Sequence, residues 1–168
     1  MKFTAQEEYG LRCLIRVAQF GQESEVTIPF IAKSEALTVE YVAKLMRILR
    51  QTGLVTSTRG VKGGYRLARP AADISVREIL VGLSDKLYSA ATCKRYAAGG
   101  GDICVHSADC SMRSMWRLLD SVVENITEQI TLGDLIEGRE QFEQMLKERW
   151  ELAGTFRKTA VEIEAAEE

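Results

Sequence analysis

The chain has 168 residues, of which 46% are hydrophobic, with only two prolines and a net charge of −2. This is ample apolar material for one medium domain with an appended helix, and two prolines exclude long proline-rich linkers. The total charge alone argues against a nucleic-acid partner, but its distribution does not: residues 1–70 carry eleven Lys/Arg and six Asp/Glu, a balance of +5, whereas residues 71–168 carry eleven and eighteen, a balance of −7.

In chain order, residues 5–20 predict a helix, with Tyr9, Leu11, Leu14, Ile15, Val17 and Ala18 in a broad apolar stripe and Gly21 as its stop. Cys13 falls in that stripe and reads as a small buried hydrophobe. Thr27 opens a short helix over 27–34, where Pro29 is tolerated because it lies in the first turn. After a turn at Glu35–Leu37, Thr38 is an N-cap, and a third helix runs from Val39 to Thr52 on Val42, Leu45, Met46 and Leu49, ending at Gly53. Two β-compatible stretches follow, Leu54–Thr58 and Tyr65–Ala68, joined by a segment with three glycines that signals a hairpin. Ser75 with Glu78 predicts a capping box for a helix through Leu83.

The segment from about Ala90 to Cys110 is glycine-rich and gathers Cys93, Cys104 and Cys110 with the single histidine, His106. A long helix is expected over Ser111–Ile130, with Met112, Met115, Trp116, Leu119, Val122, Val123 and Ile126 as an apolar ridge that needs a partner surface. Thr131 and Asp134 frame a short helix, and a charged helical tail begins at Arg139 with Phe142, Met145, Leu146 and Trp150 as its apolar positions. Met1-Lys2 leads directly into a charged amphipathic stretch, and no apolar run approaches the ~20 residues of a membrane helix, so a cytoplasmic protein with no membrane partner is expected. In that reducing compartment clustered cysteines point to metal binding or thiol chemistry rather than to structural disulfides.

Helix, short helix, turn, helix and hairpin is the order of a winged helix-turn-helix. The expected fold is therefore mainly α with a small β-wing, followed by a long dimerisation helix. The third helix offers Thr38, Tyr41, Lys44, Arg47 and Gln51 on its outward positions. The hairpin adds Arg59, Lys62, Arg66 and Arg69. Cations neutralise phosphates, polar groups can read base edges, and Arg59 beside a tip glycine suits a narrow minor groove.

Gly53-Leu-Val, Arg59-Gly60 and Gly63-Gly64-Tyr65, within the stretch from Tyr41 to Pro70, resemble the IscR/NsrR family of bacterial winged-helix regulators. The resemblance covers roughly residues 1–136; Val61 stands where the family pattern usually has proline. It implies a homodimer on palindromic double-stranded promoter sites, with DNA contacts on the helix that starts near Thr38 and on Arg59 in the wing. It also implies an iron–sulfur cluster, 2Fe–2S or 4Fe–4S, on Cys93, Cys104 and Cys110. The histidine that IscR-like proteins place three residues after the last cysteine is Arg113 here. Some relatives use instead an acidic residue of the first helix from the other chain, a position that matches Glu8 of the partner subunit; His106 is the internal alternative. From the residues themselves, zinc on the same donors and cluster-free thiol chemistry stay open. An enzyme is not expected, since no orienting group accompanies the Cys–His pair and no phosphate or dinucleotide motif is present.

The expected organisation is a DNA-binding domain over 1–84, a cluster-binding loop over 85–110, a dimerisation helix with the short helix after it over 111–136, and a charged helical tail over 137–168.

Overall fold

The computed structural model describes residues 4–21, 24–58, 60, 63–84, 104, 106, 109 and 110–149. Its elements are α1 (Ala5–Ala18), α2 (Ile28–Glu35), α3 (Val39–Gln51), β1 (Val55–Ser57), β2 (Tyr65–Leu67), a 3-10 turn (Ala71–Asp73), α4 (Val76–Leu83), α5 (Ser111–Glu128) and α6 (Leu132–Ile136). A further helix, α7, spans 139–149. This is the mainly helical architecture with a two-stranded wing that the sequence leads one to expect.

Hydroxyl side chains start α1, α2, α3, α4 and α6. Thr27, Thr38 and Ser75 each accept from the amide three residues on, at 3.4, 3.3 and 3.2 Å, which satisfies one of the unpaired amides of a first turn. The box expected at Ser75 is only half made, because the Glu78 carboxylate pairs with Arg69 instead. Full capping boxes form at Thr4 with Glu7 and at Thr131 with Asp134. α3 ends at Gly53, whose φ of +76° favours glycine.

The core joins Cys13, Leu14 and Val17 of α1, Ile31 and Ala32 of α2, and Val42, Leu45, Met46 and Leu49 of α3 to Leu54, Val55, Leu67, Ile74, Ile79 and Leu83. Leu132 of α6 is fully buried in the same core, which stabilises by roughly 1.5–3 kcal/mol. β1 and β2 pair antiparallel, with Val55 opposite Leu67, Thr56 opposite Arg66 and Ser57 opposite Tyr65. Val26 extends this pairing by an isolated bridge to Tyr65.

α5, the longest helix, buries no residue, whereas α1, α3 and α4 each bury several. Arg77 of α4 holds one side of it through Glu124 and Glu128, at 3.1 and 3.3 Å. Val123 is half-buried, while Met112, Met115, Trp116, Leu119, Val122 and Ile126 are exposed.

Candidate nucleic-acid interface and cysteine site

α3 divides cleanly. Its apolar side is in the core, and its other side carries Lys44, Arg47 and Gln51 in solvent, lining a groove with Ala43 and Ile48. Two of the expected readers have structural tasks as well. The Thr38 hydroxyl caps α3. Tyr41 is half-buried and meets Tyr9 of α1 edge-on, ring centroids 6.0 Å apart at 83°. The Arg12 guanidinium lies 5.5 Å from the Tyr9 ring, so α1 and α3 are joined by a stack of two rings and a cation.

The wing is held against α3 by the bond from Arg50 to the Ser57 hydroxyl, at 3.4 Å. Arg66 is exposed on β2. Arg69, grouped with the wing cations from the sequence, is instead tied to Glu78 and to the Asp73 carbonyl, so its charge locks the wing's exit to α4. Arg59 and Lys62 lie outside the described residues.

Sequence reasoning passed over the buried carboxylate of Glu35. It accepts from Arg12 Nε at 2.9 Å with one oxygen and from Arg16 Nε at 2.9 Å with the other. The two arginines lie four residues apart on α1, so one helix face offers both; the spacing of Arg12 and Arg16 was the available signal.

Of the cysteine set, Cys93 lies outside the described residues. Cys104 and Cys110 are half-buried free thiols and His106 is exposed. Cys110 is the N-cap residue of α5, its carbonyl accepting from Arg113 N at 3.1 Å. Glu8 is exposed in the first turn of α1. Among the described residues no three His, Cys, Asp or Glu side chains converge as a metal site. The donor chemistry nevertheless fits an iron–sulfur cluster in kind: two unpaired thiols on one segment and a solvent-facing carboxylate on another helix.

The first turn of α1 is fastened to the end of α4, where the cysteine segment begins. Gln6 donates to the Leu83 carbonyl, and the Ser84 hydroxyl donates to Glu7 at 2.6 Å. Burial pushes the Glu7 carboxyl up, but the hydrogen bonds from Ser84 and Thr4 outweigh it and hold the group below its ordinary value.

A sequence profile of the Rrf2 family, described as an iron-dependent transcriptional regulator, matches residues 3–138. The chain belongs to the Rrf2 family. It is 34% identical over 136 residues to protein rrf2 of Nitratidesulfovibrio vulgaris, covering 81% of this chain and 87% of that one. It is 33% identical over 143 residues to the HTH-type transcriptional regulator IscR of Vibrio atlanticus, covering 85% and 79%. Among solved structures, T. potens IscR superposes with a TM-score of 0.63 at 30% identity, over 82% of this chain and 87% of that one. The oxidised form of Staphylococcus aureus CymR gives 0.63 at 27% identity, over 83% and 98%. This Rrf2-family protein is thus a winged-helix transcriptional regulator that binds DNA, and not an enzyme. Among its described residues no helix is long and apolar enough to cross a membrane.

Proposed function

We propose that this Rrf2-family chain is a cytoplasmic homodimer that binds palindromic promoter duplexes, with an affinity set by an iron–sulfur cluster. The carrying observation is the fastening of the first turn of α1, which bears Glu8, to the end of α4 from which the cysteine segment departs. On this reading Cys93, Cys104 and Cys110 of one subunit and Glu8 of the partner subunit are the ligands, with His106 as the alternative fourth donor. When bound, a 2Fe–2S or 4Fe–4S cluster there supplies a centre responsive to redox state, nitric oxide or iron–sulfur supply. A carboxylate is a harder donor than a thiolate, so the fourth position is labile.

The protein's own residues carry the consequence. Glu7 and Gln6 tie α1 to the Ser84 and Leu83 end of α4, and Tyr9, one turn further along α1, packs on Tyr41 of α3. A shift of the first turn of α1 therefore reaches the DNA-facing helix through the Tyr9–Tyr41 ring contact and through the core that α1 and α3 share. The ridge of α5 pairs the two subunits and so fixes the distance between the two α3 helices. The proposed organisation is 1–84 for DNA, 85–110 for the ligand loop, 111–136 for pairing and 137–168 as an appended tail.

Anaerobic purification followed by absorbance and by iron and sulfide assay tests the reading. The expected outcome is coloured protein with iron and sulfide in matching amounts, and faster bleaching in air for Glu8→Ala. Colourless protein without iron, even after reconstitution, overturns it. A second reading, regulation by cysteine thiols without a cluster, is favoured by the likeness to CymR in its oxidised form and by the free thiols of Cys104 and Cys110. Colourless protein whose DNA binding is lost on oxidation and restored by a reductant establishes that reading; zinc in place of iron establishes a zinc-binding regulator.

A further inference from the structure

α3 begins with an exposed apolar side chain at the place where a recognition helix meets base edges. Val39, the first residue of the helix, is 46% exposed, whereas Val42, Leu45, Met46 and Leu49 are wholly buried. It contributes nothing to the core, and β-branched valine is a poorer helix former than most residues. One turn on, Ala43 lies in the groove beside Lys44 and Arg47, so positions 39 and 43 form a short apolar strip next to two cations.

The charges around the strip indicate what it meets. The acidic residue of the first turn is Glu40, which is exposed. A carboxylate there repels phosphate, and the free amides of the turn are partly met by the Thr38 cap. Phosphate contacts therefore fall to Lys44 and Arg47, one and two turns later, and the first turn is left facing base edges. In the major groove the one apolar feature of a base pair is the C5-methyl of thymine.

We propose that Val39 is a specificity-determining residue that packs on the 5-methyl of a thymine in each half-site, with Ala43 as the floor of the contact. This rests on α3 being the DNA-reading helix, as proposed above. Removing one methyl contact of this kind lowers affinity about three- to fivefold per half-site.

The test starts by selecting duplexes from a randomised double-stranded library with the full chain. Each thymine of the enriched sequence is then replaced in turn by deoxyuridine, which pairs identically and lacks only the methyl. In the wild type one position in each half-site is expected to weaken binding about three- to fivefold on replacement. In Val39→Ala the thymine and uracil duplexes bind alike, with an unchanged salt dependence because no phosphate contact is removed. Alanine at an exposed helical position leaves the fold intact, which circular dichroism verifies. A wild type indifferent to uracil at every position, or a Val39→Ala variant that keeps the full uracil penalty, overturns the Val39 assignment while DNA reading by the chain stands. Failure to enrich any sequence overturns the α3 reading and the Val39 assignment together.

Discussion

Cys13 of α1 and the cysteines that precede α5 differ in chemistry. Cys13 is wholly buried in the core, and burial, reinforced by the Glu35 carboxylate and opposed by Arg12, pushes its thiol up to about 12. The thiolate is the reactive form, so Cys13 is silent in any redox response. Cys104 and Cys110 are partly open to solvent. Brief labelling of the metal-free protein with a maleimide at neutral pH, read by peptide mass, is expected to modify Cys104 and Cys110 and spare Cys13 until denaturant is added. Labelling of Cys13 at the rate of Cys110 would contradict the buried assignment. The same shift has a sign in stability. The folded state keeps this proton up to about 12, while the unfolded thiol loses it near its ordinary value of 9.0. The contribution is intact below about 9 and is lost as pH rises towards about 12. The alkaline limb of the stability curve should therefore be shallower in Cys13→Ala than in the wild type, whatever that variant costs at neutral pH.

At the scale of elements, the wing depends on a close backbone approach. A Cβ on Gly64 would stand 2.9 Å from the Val26 carbonyl oxygen and 3.0 Å from its carbon. The neighbouring Val26–Tyr65 pair exchanges bonds of 2.8 and 2.9 Å, so the backbone there has no slack. Gly64→Ala is expected to cost about 1–3 kcal/mol in a denaturant titration, and to accelerate hydrogen exchange at the Val26 and Tyr65 amides. Unchanged stability with both amides still protected would remove the packing role assigned to Gly64. In the sequence this glycine signals only a turn; its contact with Val26 joins positions far apart in the chain and has no local mark. The contrast runs through the whole fold. Thr27, Thr38 and Ser75 were legible as caps because a cap acts within three residues of itself. Glu35 with Arg12 and Arg16, Arg69 with Glu78, and Tyr9 with Tyr41 were not, because each depends on how two elements cross. The candidate ligands were legible as a cluster of donor types, but their convergence is a tertiary property, and Cys93, Arg59 and Lys62 lie outside the described residues.

For the whole molecule, the decisive feature is a helix without a core. α5 runs over eighteen residues and buries none of them, yet its ridge repeats at 112, 115, 119, 122 and 126, alternating steps of three and four as in a helix-pairing seam. The ion pairs of Arg77 with Glu124 and Glu128 set the other side of α5 against α4. They are half-exposed and worth little each, but they turn the ridge outward in a fixed direction. In the proposed homodimer a second copy supplies the missing surface by two-fold symmetry, so a single substitution acts twice at the seam. Leu119 is central in the ridge and 43% exposed in the single chain; Leu119→Asp should leave the monomer's fold intact while placing two carboxylates face to face in the pair. Sedimentation is expected to show a dimer for the wild type and a monomer for the variant, with dimer affinity reduced at least a hundredfold. Because two joined readers bind two half-sites with a high effective concentration, the variant should lose affinity for a palindromic duplex and retain that of the wild type for a single half-site. A variant that stays dimeric would place the subunit interface elsewhere and leave the ridge for another partner. A monomer that binds the palindrome undiminished would instead separate dimerisation from DNA recognition, and with it the mechanical link from Glu8 of the partner subunit to α3.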